Sequence, residues 1–137
     1  LENLETKGGP VIGFGTDELP AVYTRKSGFG VDYRRDTEKE LAEAFKAKED
    51  IGLKGGMLVV NPIPEQYSMD PDYISQVIDE AIKEANSRGI KGKKVTPFLL
   101  AKVAEKSGGE SLASNIQLVL NNAIVASRTA AALSLLK

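Results

Sequence analysis

The chain has 137 residues, 18 Lys+Arg against 19 Asp+Glu, a net charge of −1 and 42% hydrophobic residues. That composition suits one modest folded domain and offers no basic face for nucleic acid or a membrane surface. With neither Cys nor His, disulfides, thiolate nucleophiles, zinc clusters and Ser–His or Cys–His triads are excluded within the chain. Acid–base work falls to Asp, Glu, Lys or Tyr, and any metal must be hard and oxygen-ligated.

The elements read in chain order. Gly8-Gly9-Pro10 ends a short polar segment, and Val11–Phe14 reads as a buried strand running into Gly15. Gly28-Phe29-Gly30 marks a turn before a short strand expected at Val31–Tyr33. Thr37 followed by Glu40 is a capping-box pattern that opens a helix to about Lys48, with Leu41, Ala44, Phe45 and Lys48 on one face. The apolar run Met57–Val60 reads as a central strand, stopped by Asn61-Pro62-Ile63-Pro64. Asp70-Pro71 caps a helix to Arg88 whose packed face is Ile74, Val77, Ile78, Ala81, Ile82 and Ala85, closed by Gly89. Thr96-Pro97 repeats that cap for Phe98–Ser107, and the last helix is expected over about Leu112–Leu136. Alternating strands and helices make residues 1–137 one α/β unit, a mixed sheet with flanking helices, or one half of a larger α/β/α fold.

Three places could carry chemistry. Gly13-Phe14-Gly15-Thr16-Asp17-Glu18 stands at a strand end, where backbone N–H groups can approach a ligand, or where the loop is simply a tight turn with Asp17 as a cap. Asn61 and Pro62 open a rigid loop at another strand end, as a ligand-holding amide or as ordinary strand punctuation. Asn115 and Asn122 share a stripe of the last helix with Leu118, Val119 and Ala126. Amides in such a stripe need partners, either loop backbone or a ligand's hydroxyls. No phosphate-binding P-loop or dinucleotide fingerprint is present. No stretch reaches the roughly 20 apolar residues of a membrane span, and the expected compartment is the cytoplasm, or an organelle in a eukaryotic source.

Seven ordered motifs together resemble the pseudouridine-5'-phosphate glycosidase, or indigoidine synthase A-like, family. They are Leu1-Glu2-Asn3-Leu4-Glu5-Thr6, Pro10 through Ala21, Tyr23-Thr24-Arg25 with Ser27-Gly28, Asn61-Pro62-Ile63-Pro64, Gly89 through Lys93, Thr96 through Ala101, and Asn115-Ile116 with Asn121-Asn122-Ala123. The resemblance implies a manganese-dependent lyase or glycosidase, usually a homotrimer, that splits pseudouridine 5'-phosphate into uracil and ribose 5-phosphate. A lysine forms an imine with the anomeric carbon and the base leaves by a retro-aldol-like step. A C-glycoside offers no leaving oxygen or nitrogen to protonate, so two-carboxylate glycosidase chemistry fits poorly and covalent lysine catalysis fits well.

The family's nucleophilic lysine, acid–base glutamate and Mn2+ ligands are expected upstream of Leu1, and none of Lys7, Lys26 or Lys48 matches the nucleophile's motif. The chain also opens without Met, so an N-terminal half is expected as partner and this chain alone as inactive, with no catalytic residue of its own. Asn115, then Asn122, are expected to bond the ribose or imine intermediate, with Thr16, Asp17, Asn61 and Pro62 shaping the pocket. A binding or regulatory fragment of the same fold is the alternative, and a sugar-kinase partner a more distant one.

Overall fold

The computed structural model describes residues 9–136; the Leu1–Thr6 motif and Lys7 lie outside them. Three parallel strands form a sheet in the order β2–β1–β3, with β1 at Val11–Phe14, β2 at Tyr33–Arg35 and β3 at Leu58–Val60. Ile12 pairs with Tyr33 on one side and with Val59 on the other. The central strand is buried through Val11, Ile12 and Gly13, as a parallel strand covered on both faces requires. Helix α1 (Glu38–Asp50) connects β2 to β3 across β1, and α2 (Pro71–Ser87), α3 (Val95–Lys106) and α4 (Glu110–Ser134) follow. This is the expected α/β class.

Local capping chemistry sets the helix starts. Thr37 Oγ1 accepts from the Glu40 N–H at 3.2 Å, and the Glu40 carboxylate accepts from the N–H groups of Asp36 and Thr37, both at 2.9 Å. Those two backbone donors, then the Thr37 hydroxyl, hold the Glu40 carboxyl below its ordinary value. A group lowered on folding stabilises the fold above its unfolded pKa, and that contribution disappears as pH falls through the folded one. Helicity at α1 should therefore decline below the ordinary glutamate range, and Glu40→Gln should flatten that decline in a circular dichroism titration. Asp70 caps α2, its carboxylate accepting from the Tyr73 N–H at 2.8 Å, with Pro71 at the first helical position.

Several boundaries and one packing position differ from the sequence reading. The Met57–Val60 run, expected as a central strand, is β3, paired only with β1 among the described residues because β1, paired on both sides, takes the centre. The second strand is Tyr33–Arg35 and not Val31–Tyr33, because the Val31 N–H donates to Asp17 O at 3.0 Å beside an antiparallel bridge between Glu18 and Gly30. Helix α3 begins at Val95, since the 3-10 turn Gly92–Lys94 runs straight into it. Thr96 is then not the cap, and Pro97 sits in the first turn, where its missing N–H costs nothing. Helix α4 starts at Glu110 and ends at Ser134. Gly109, at φ +90°, forms its N-cap, and Ser107 Oγ accepts from the Ser111 N–H at 3.2 Å. Ile82, expected on the packed face of α2, is 40% exposed.

Two small apolar clusters hold these elements. Tyr23, Met69, Ile74, Val77, Ala81 and Val103 join α2 to α3, while Ile12, Leu41 and Val125 join the sheet to α1 and α4. Burial pushes the Tyr23 phenol above its ordinary value, opposed by the nearby Ser111 hydroxyl. Ser111 Oγ itself is buried with no hydrogen-bond partner among the described residues. Ser111→Ala should then stabilise the fold by about 1 kcal/mol, removing a desolvated hydroxyl. Thermal melts should show a rise of a few degrees.

Candidate functional site

The loop after β1 folds back on its own strand. Thr16 Oγ1 donates to Glu18 O at 3.0 Å and accepts from the Glu18 N–H at 3.1 Å, so its hydroxyl is spent on the turn. Asp17 is paired with Arg34 at 2.6 Å. Gly15 adopts φ +63°, and a Cβ on Gly13 would stand 2.1 Å from Thr16 O. Only glycine lets the loop close that tightly over the strand end. Gly13→Ala should displace residues 15–18 and cost about 1–3 kcal/mol as an overpacked site, read as a lowered urea midpoint. Thr16, Asp17 and Glu18, with Arg25, Lys26 and Arg34, wall a small cleft of about 200 Å³.

The second strand-end loop is fixed from this same side. Pro62 and Ile63 are buried, and the Arg25 guanidinium donates to Ile63 O at 2.6 Å, tying residues 61–64 to the segment after β1. Arg25 and Arg34 are the structural residues that sequence reasoning left without a role. Arg25 stood in a quoted motif, but nothing local indicated that it would lock a loop 38 residues away.

Helix α4 supplies the remaining amides. Asn122 Oδ1 accepts from Asn61 Nδ2 at 3.0 Å, so the strand-end loop and the helix meet through this pair. Once that bond is made, Asn61 Oδ1 remains free to accept and Asn122 Nδ2 to donate. The pair opens onto a groove of about 490 Å³ walled by Leu41, Phe45, Met57, Val59, Val125 and Leu133. Asn115 lies two turns earlier on the same stripe, about 10 Å along the axis. It is half-buried, and its amide makes no hydrogen bond among the described residues. Asn61 and Asn122 are thus brought together, Asn115 stands apart with its amide free, and Thr16 and Asp17 are engaged in a turn and an ion pair.

No three Asp or Glu side chains converge among the described residues, so this part of the chain offers no cage fitting Mn2+. No helix among them is long and apolar enough to cross a membrane.

Comparison with known proteins gives a consistent picture. A family model described as "Indigoidine synthase A like protein" matches residues 1–132. A pseudouridine-5'-phosphate glycosidase of Clostridium botulinum is 67% identical over 134 residues, 98% of this chain and 44% of that protein. One from Alkaliphilus metalliredigens is 56% identical over 97% of this chain and 43% of its own length. Among solved structures, the prealnumycin C-glycosynthase AlnA in complex with ribulose 5-phosphate matches with a TM-score of 0.86 and 36% identity, covering 98% of this chain and 44% of that one. An indigoidine synthase A-like protein of Thermotoga maritima matches with a TM-score of 0.78 and 33% identity over 99% of this chain and 44% of its own. The chain therefore spans well under half the length of these relatives and corresponds to their C-terminal portion. On the match to residues 1–132 and on these identities, the chain belongs to the indigoidine synthase A-like family.

Proposed function

We propose that this chain is the C-terminal portion of a pseudouridine-5'-phosphate glycosidase and acts with an N-terminal half that supplies the nucleophilic lysine. The observation that carries this reading is the 67% identity, over 98% of the chain, to a protein named for that activity. The AlnA neighbour, a C-glycosynthase in complex with the pentose phosphate ribulose 5-phosphate, supports a sugar-phosphate substrate.

In the proposed lyase-type reaction, the lysine amine bonds to the anomeric carbon as the bond from that carbon to the ring oxygen breaks, opening the sugar, and the ring oxygen takes up the amine's proton. The C–C bond to the base then breaks with its electron pair going to the uracil carbon, which takes up a proton. Water hydrolyses the imine left behind, giving ribose 5-phosphate and the free amine; the sequence is reversible. This chain's residues bind and orient. Asn115 presents an amide that can bond the sugar hydroxyls or the intermediate. Asn61 and Asn122 offer an acceptor and a donor side by side, matched to a planar amide-like edge such as uracil's. The Thr16–Glu18 turn and Pro62 hold the loops that carry the wall. Mn2+ and a homotrimeric assembly belong to the same proposal, with the metal ligands in the N-terminal half.

The test is turnover. The chain co-expressed with the N-terminal portion of the Clostridium botulinum relative, given Mn2+ and pseudouridine 5'-phosphate, should release uracil measurable by chromatography. A stable complex that released none would replace this reading with a binding or regulatory role for the same fold.

A further inference from the structure

Helix α4 carries little charge. Of its 25 residues only Glu110 and Arg128 are charged. One side packs on this chain through Ser111, Ser114 and Val125. The opposite side has no cover among the described residues: Leu112, Ile116, Val119 and Leu120 are exposed by 54%, 50%, 60% and 51%. At about 100° per residue, Leu112, Ile116, Val119 and Ala123 fall within a stripe about 60° wide. The stripe borders Ala126 and Ala130, which line the apolar groove beside α1. A surface helix places charged residues on its outer face. A contiguous exposed apolar patch of this kind marks an interface.

The relatives indicate what covers it. The AlnA fold superimposes on 98% of this chain with a TM-score of 0.86, yet only 44% of that chain is used in the match. More than half of the neighbour's chain lies outside the superimposed part. We infer that the outer face of α4 is the seat on which that remaining portion of the family fold packs, making α4 an internal helix of the assembled protein. The inference rests on the N-terminal half proposed above as partner, but not on the chemistry proposed for it. The occupant is a folded polypeptide with a complementary apolar surface, and the lack of charge on the stripe leaves no basis for an ionic partner.

The experiment is co-expression of this chain with a tagged N-terminal portion of the Clostridium botulinum relative, followed by affinity purification and light scattering. A complex of the two polypeptides is expected. The double variant Ile116→Asp/Val119→Asp should bind the partner roughly a hundredfold more weakly, because each charge would be buried without a counterpart. Ile82→Asp, at an exposed apolar position on α2, should leave the complex intact, and so should Ile116→Leu/Val119→Leu, which keeps the face apolar. A complex unaffected by the aspartates would overturn the inference. So would failure of the leucine variant to bind, failure of the wild-type chain to bind, or self-association of this chain that the aspartates abolish, which would assign the face to a second copy. A complex that forms through this face without releasing uracil would keep the inference and remove the proposed activity.

Discussion

The isolated chain should release no uracil from pseudouridine 5'-phosphate, with or without Mn2+, and should gain the activity only when the N-terminal portion is supplied. A lysine attacks a carbon only as the free amine, so a catalytic lysine needs its pKa lowered from about 10.4 by burial or by a neighbouring cation. The engaged lysines of this chain are placed the other way. Glu105 and then Glu84 push Lys102 upward, and Glu80 does the same for Lys106. Lys48 donates to Leu53 O and Gly55 O at 2.8 and 2.6 Å, pinning the turn after α1. Lys26 is exposed at the rim of a cleft that also holds Asp17 and Glu18. Among the described residues, Lys102 and Lys106 are thus held by carboxylates and Lys48 by backbone carbonyls. Borohydride reduction during turnover of the complemented protein should therefore fix a pentose phosphate adduct on the N-terminal polypeptide, seen by intact mass, and leave this chain unmodified. Uracil release by the chain alone, or an adduct on Lys26 or Lys48, would place the nucleophile here and refute the division of labour.

What could be read from the sequence was what short-range chemistry decides. The Thr37–Glu40 box and the Asp70–Pro71 cap fix their helices through bonds spanning a few residues. The apolar strand at Val11–Phe14 followed from its flanking glycines, whereas the Met57–Val60 run expected as a central strand became the lateral strand Leu58–Val60, with β1 taking the centre. Where the reading slipped, a distant partner decided one outcome and an adjacent turn another. Val31 left the expected strand because its N–H is taken by Asp17, and α3 starts early because a 3-10 turn feeds it. The candidate site divides in the same way. Asn61, Asn115 and Asn122 were visible individually as amides in apolar settings. That Asn61 and Asn122, 61 residues apart, bond each other while Asn115 makes no bond depends on how α4 lies against the strand-end loop. Spacing along one helix does not encode that. Thr16 shows the converse: a hydroxyl at a strand end invites a ligand reading, yet both of its bonds stay within its own turn.

That asymmetry between the amides makes Asn115 the most informative substitution. In the complemented protein, Asn115→Ala should lower kcat/KM by roughly 5- to 150-fold, the equivalent of about 1–3 kcal/mol for one or two hydrogen bonds to substrate or intermediate. Its melting temperature should hardly move, because the amide has no hydrogen bond to lose among the described residues. Asn122→Ala provides the contrast. It breaks the 3.0 Å bond to Asn61, so part of its effect should be lost stability, with the strand-end loop released from α4. Measuring specific activity per folded molecule and melting temperature on the same preparations separates the two roles. If Asn115→Ala instead unfolded the protein early while activity per folded molecule stayed near wild type, the Asn115 amide would be structural. The ligand-facing amides would then be Asn122 and Asn61, whose bond to each other joins the strand-end loop to α4 and leaves one donor and one acceptor unused.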